Sequence, residues 1–119
     1  MDLKSFSALN RVEKEFEILD GLKVSMHTLS VIQQQQALSE LPTSPLGQDL
    51  ALRALVLQQA LLVYALDAIN GEKITLQQAK DFIQNAQAPI FNEIYNCYDL
   101  MAQEQDKILT ELKDKKKVN

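Results

Sequence analysis

The sequence predicts a mainly α fold: a small helical domain with a long central apolar helix, two further helices toward the C-terminus and a short N-terminal β-hairpin. Three observations carry that expectation. Only three Gly and three Pro occur in 119 residues, and they fall between apolar runs rather than within them. The longest apolar stretch, Leu50 to Ile69, has the length of a core helix. Late in the chain, Phe91, Ile94, Tyr98, Met101, Gln105, Ile108 and Leu112 recur at spacings of three and four, the period of one helix face. At 46% hydrophobic and 24% charged residues, the composition is that of a globular chain with one core.

The first fourteen residues, with Leu3, Phe6 and Leu9 at helical spacing, read as an N-terminal arm or a short helix. From Glu15 to Met26 apolar and polar residues alternate around Asp20-Gly21. That pattern predicts a hairpin with a type I′ turn, whose two central positions need positive φ. Thr28 is placed to cap a short helix, with Leu29, Ile32, Gln36 and Leu41 near one face, ending before Pro42. Two prolines and a glycine in PTSPLG, residues 42–47, forbid continuous helix there.

The central helix is expected over about Gln48 to Ile69, closed by Asn70-Gly71 in left-handed conformation. At about 100° per residue, Asp49, Arg53 and Asp67 form a thin wet edge on an otherwise apolar rod. Thr75 and Gln78 make a capping box before Leu76, Ala79, Phe82 and Ile83. Residues 85–88 break that helix, and Pro89 suits the first turn of the next one. A single helical domain is thus expected over 15–112, followed by a solvated basic tail over 113–119.

A net charge of −4 and a pI near 4.9 disfavour nucleic acid, because phosphate neutralisation by Lys and Arg supplies most of that affinity. Arg53, Gln58, Gln59 and Asp67 make the Leu50–Ile69 stretch too polar for a membrane span, and the charged N-terminus does not resemble an export signal. The single cysteine, Cys97, and single histidine, His27, supply neither a disulfide framework nor a four-ligand zinc pattern. No glycine-rich phosphate loop occurs, and no serine elbow stands ready for His27. Cys97 reads as a small buried hydrophobe, and Glu13, Glu15 and Glu17 as one solvated side of a strand. The expectation is a binding protein with no enzyme activity, cofactor or metal.

Candidate protein-binding residues are Arg53, Leu57, Leu61, Tyr64 and Asp67 on the central helix, with Phe91, Tyr95, Tyr98 and Met101 on the last one. Arg53 and Asp67 either touch a partner or only hydrate the wet edge. Tyr64, Phe91, Tyr95, Tyr98 and Met101 are first of all candidates for core packing, and second for a docking patch built of interface-type anchors.

Three segments resemble the tail assembly chaperones of lambda-like long-tailed bacteriophages: EFEILDGLKVSMHTLSVIQQ, LLVYALDAINGEKIT and QQAKDFIQNAQAPIFNEIYNCYDLMAQ. The similarity lies in a glycine turn before a Val strand and a Leu-Ser helix start, an apolar helix running into Asn-Gly, and two later helices split before a proline. It covers about two-thirds of the chain in family order, outside residues 1–14 and 42–47. The resemblance implies a protein of the host cell cytoplasm that binds the tape measure protein, keeps its apolar helices soluble while tail tube subunits polymerise, and is absent from the virion. It implies a longer form made by programmed frameshift that recruits tail tube protein, and Lys115-Lys116-Lys117 fits a slippery run of A-rich codons. Apolar surface beyond what the neighbouring helices can cover also predicts a homo-oligomer. The other class compatible with the composition is an acidic helical regulatory module of anti-repressor type that masks a basic protein.

Overall fold

The computed structural model describes residues 11–40 and 50–118. Their order is β1 (Glu13–Leu19), β2 (Leu22–His27), α1 (Val31–Ser39), α2 (Leu50–Ala65), β3 (Leu66–Ile69), β4 (Glu72–Lys73), α3 (Leu76–Asn85) and α4 (Ala88–Val118). Helix dominates the described residues. The strands, however, form a four-stranded antiparallel sheet in the order β1-β2-β3-β4, which is larger than the expected hairpin.

β1 and β2 form where alternation placed them, with Lys14 opposite Met26 and Phe16 opposite Val24. Their turn differs from expectation. Gly21 has φ +85°, but Asn70 is the only non-glycine residue described with positive φ, so Asp20 does not adopt the type I′ conformation. The register instead slips by a residue between Glu17 and Leu19.

The larger correction falls at residues 66–69. The central helix stops at Ala65, and Leu66–Ile69 leaves directly as β3, with Val24 opposite Ile69 and Ser25 opposite Ala68. Asn70-Gly71 is therefore a hairpin turn and not a helix end. Its φ values of +51° and +81° are the pair a type I′ turn needs. The competing interaction is long-range: β2 offers an open edge, and pairing with it satisfies the backbone of a segment that would otherwise extend the helix. Asn70 locks the arrangement, its N–H donating to the Lys23 carbonyl (2.8 Å) while its Oδ1 accepts from the Lys23 N–H (2.8 Å).

The cap of α1 is also one step from expectation. Ser30, not Thr28, is the N-cap: the Gln33 N–H donates to Ser30 Oγ and the Ser30 N–H donates to Gln33 Oε1, a reciprocal box. Thr28 is buried, its hydroxyl accepting from the Val12 N–H (3.0 Å) and from Gln105 Nε2 (3.1 Å). The polar break in the α4 seam thereby acquires a reason, since Gln105 reaches a hydroxyl where an apolar side chain would strand it. Of the face anticipated here, Leu29 is buried just ahead of α1, whereas Ile32 and Gln36 are exposed, Ala37 is the residue α1 buries, and Leu41 lies outside the described residues.

Thr75 and Gln78 cap α3 reciprocally as expected, with Ala79 and Ile83 buried and Phe82 half-buried behind them. Pro89 sits in the first turn of α4, where its missing N–H would have had no helical partner. Phe91, Ile94, Tyr98 and Met101 bury that helix against β1, β2 and α2, and the half-buried Gln105, Ile108 and Leu112 continue the stripe. The anticipated tail remains helical as far as Val118.

The core joins Val24 and Met26 of β2 to Leu62 and Val63 of α2, Leu66 of β3, Ile83 of α3 and Phe91, Ile94 and Met101 of α4. Each such side chain removed from water contributes roughly 1.5–3 kcal/mol. One sheet face lies under α4. The other carries Glu13, Glu15 and Glu17 of β1 beside Lys23, Ser25 and His27 of β2, their partners in register.

Candidate functional site

α2 buries only its second half. Ala60, Leu62, Val63 and Ala65 are buried, but all six residues from Leu50 to Leu55 are exposed, with Leu50 at 78%. The apolar surface expected to exceed what the neighbouring helices can cover lies in that first half. No charged face explains the exposure: LALRAL carries a single charge, Arg53. Helix α1, packed against α2, adds Val31 (71% exposed), Ile32 (64%) and Leu38 (50%). Val31 and Leu38, seven residues apart, share one side of α1. The buried Ala37 lies away from that side, because its methyl allows close approach to the body of the protein.

The two helices are tied together at one end, where Tyr64 Oη donates to Glu40 Oε1 at 3.1 Å. Partial burial, together with that carboxylate, pushes the Tyr64 hydroxyl above its ordinary pKa. A small hollow of about 130 Å³, lined by Glu40, Val56, Gln59, Ala60, Val63, Lys80 and Gln84, continues along the same side of α2.

The nine residues singled out from sequence separate into three groups. Arg53 is exposed on the open half of α2, with the half-buried Leu57, Leu61 and Tyr64 following it toward the core. Phe91, Tyr98 and Met101 are buried in the core, while Tyr95 is half-buried with its ring 6.1 Å from that of Tyr98, tilted at 42°. Burial pushes the hydroxyls of Tyr95 and Tyr98 up. Asp67 stands apart. It belongs to β3, so it shares no helix edge with Arg53, and Asp49, the third member of that edge, lies outside the described residues.

Asp67 takes part in a different cluster. Both of its carboxylate oxygens lie 2.9 Å from His27 Nδ1, and Arg11 Nη2 stands 3.8 Å from Oδ2. His27 is buried, and its other nitrogen, Nε2, faces Gln33 Oε1 at 3.3 Å. The imidazole thus links β2 to β3 and to the first turn of α1, and both its nitrogens are engaged. Beside it, an open groove of about 670 Å³ runs over the wet face of the sheet, with Ser25 on its floor and Glu15 and Lys73 among its walls.

Cys97 is buried, its thiol pushed up by desolvation and by Glu93, whose Oε1 lies 3.9 Å from the sulfur. A raised thiol pKa lowers the thiolate fraction and so the nucleophilicity of the site. No helix among the described residues is long and apolar enough to cross a membrane.

Sequence reasoning missed the exposed apolar residues of α1 because it grouped Ile32 with Leu29 on one face, and apolar identity alone does not say which residues turn inward. It missed the His27–Asp67 pair because forty residues separate the two, and no local pattern reports a contact made through strand pairing. The chain matches no protein family model, no curated protein and no solved structure.

Proposed function

We propose that this protein is a holdase-type chaperone that shelters apolar helices of a client, and that the client is the tape measure protein of a long-tailed phage. The observation that supports this is the apolar surface of α1 and the first half of α2, with Val31, Ile32, Leu38, Leu50, Leu52 and Leu55 all exposed. Leu50, Leu52 and Leu55, exposed within one stretch of six residues, fit an interaction site, and helices with anchors at spacings of three and four are what such a surface accommodates. Arg53, Leu57, Leu61 and Tyr64 extend the surface toward the core. Phe91, Tyr98 and Met101 belong to the core, with Tyr95 half-buried at its edge, and serve the fold rather than the surface.

The proposed activity is binding alone, with no catalysis and no cofactor. Without client, copies of the chain associate through the same surface and release it by exchange, so client and self-association compete. A longer frameshifted form, where one is made, recruits tail tube protein to the held client in the host cytoplasm before both forms leave the assembling tail.

Sedimentation velocity with and without fragments of a tape measure protein tests the reading. The expected result is a concentration-dependent oligomer that gives way to a client complex as fragment is added. A protein that stays monomeric at every concentration and ignores every fragment removes the proposal.

A further inference from the structure

We infer that the outer edge of β1 binds, by strand addition, an extended peptide segment in which basic and apolar side chains alternate. β1 is the terminal strand of the sheet, and no described strand pairs with its outer side. The direction of its backbone groups follows from one hydrogen bond. The Thr28 N–H donates to the Val12 carbonyl at 2.9 Å, so Val12 turns its polar backbone toward β2. By the alternation of an antiparallel ladder, Lys14 and Phe16, opposite Met26 and Val24, do the same. Glu13, Glu15 and Glu17 then present their N–H and C=O groups outward, the template that an added strand needs.

The side chains at that edge state which strand fits. Glu13, Glu15 and Glu17 are all exposed on one face. Glu13 is paired with Arg11, whereas Glu15 and Glu17 form no ion pair among the described residues. Residues directly opposite them on an incoming strand share their face, so Lys or Arg belongs there. Between them, Phe16 is half-buried against the core on the other face, and an apolar residue opposite it extends that contact. The complement of Glu15-Phe16-Glu17 is therefore basic-apolar-basic. A second copy of β1 is the wrong occupant: any antiparallel register that overlaps the three glutamates sets at least one against a glutamate of the other copy.

The surface is separate from the helical one proposed above, and each can fail without the other. The probe is a fluorescein-labelled nine-residue peptide of alternating lysine and valine, followed by anisotropy and by backbone amide NMR. Its control has the same composition with all lysines placed first, which keeps charge and destroys alternation. The alternating peptide is expected to bind and to shift the amides of Glu13, Glu15 and Glu17, and the control to bind at least about tenfold more weakly. Glu15→Lys with Glu17→Lys should weaken the alternating peptide by about tenfold or more and leave binding of helical client unchanged. Glu15→Pro removes an outward N–H while sparing the bonds to β2, so it should abolish peptide binding in a protein that still unfolds cooperatively. Equal binding of the two peptides, or undiminished binding by a folded Glu15→Pro protein, overturns the inference. Should that variant fail to fold, the wild-type amides decide, because a bound peptide that leaves Glu13, Glu15 and Glu17 unshifted overturns it equally.

Discussion

Residues 50–57 and 58–69 form one apolar run, yet they end in opposite surroundings. In the first half Leu50, Leu52 and Leu55 face solvent, while in the second Leu62, Val63, Ala65 and Leu66 are enclosed. The difference lies in the neighbours. The second half has α3 and α4 beside it and becomes a sheet strand, and no described element encloses the first half in the same way. Apolar composition states how much surface has reason to leave water. Topology decides which part of it does so within one chain, and the remainder is left for another.

The strongest way to break this comparison is to find that the halves cost the same when truncated. Leu62 is fully buried, so Leu62→Ala loses its transfer energy and leaves a cavity, which should destabilise the protein by about 2–5 kcal/mol. Leu55→Ala, at a residue 42% exposed, should cost no more than about 0.5 kcal/mol. Urea unfolding of the two variants at equal slope measures both. Similar midpoints would mean that the first half is enclosed in solution and that the contrast is wrong.

The boundary inside the second half gives the next largest effect. Gly71 has φ +81°, where an added methyl meets no neighbouring atom, so the cost of Gly71→Ala is conformational. About 1–2 kcal/mol is expected, read from the same unfolding curves. The position discriminates between the two structures this turn could serve. In a hairpin, the substitution should also loosen the Lys23–Asn70 hydrogen bonds and speed amide exchange in β3. A helix end would leave those amides slow.

What the sequence could and could not reveal divides at the same place. The Thr75–Gln78 box, the Pro89 start and the α4 stripe from Phe91 to Met101 are local patterns, and all were legible. The strand at Leu66–Ile69 was not, because its four residues are as acceptable to a helix as to a sheet and only the distant edge of β2 chooses between them. The turn chemistry did hold the clue. Asn-Gly is the stronger type I′ pair, and it occurs at 70–71, whereas Asp20-Gly21, read as that turn, leaves Asp20 at negative φ. For the candidate site, core packing was the first reading of Phe91, Tyr98 and Met101, and the core holds all three. The exposed surface comes instead from plain aliphatic residues, whose identity alone does not tell inside from outside.

The smallest effect on stability is also the one that sharpens the comparison most. Replacing Leu50 and Leu55 together by Gln removes apolar area that is already in contact with water, so folding should change by less than about 0.5 kcal/mol per site. If the first half of α2 is the part left for another chain, the same double variant should sediment as a smaller species and lose client, with its unfolding midpoint nearly unmoved. A variant at Leu62 should behave in the opposite way, unfolding early while its folded fraction still associates. Association that survives in the Leu50→Gln, Leu55→Gln protein would move the interaction surface away from this helix, leaving its exposed leucines as surface with no partner to cover them.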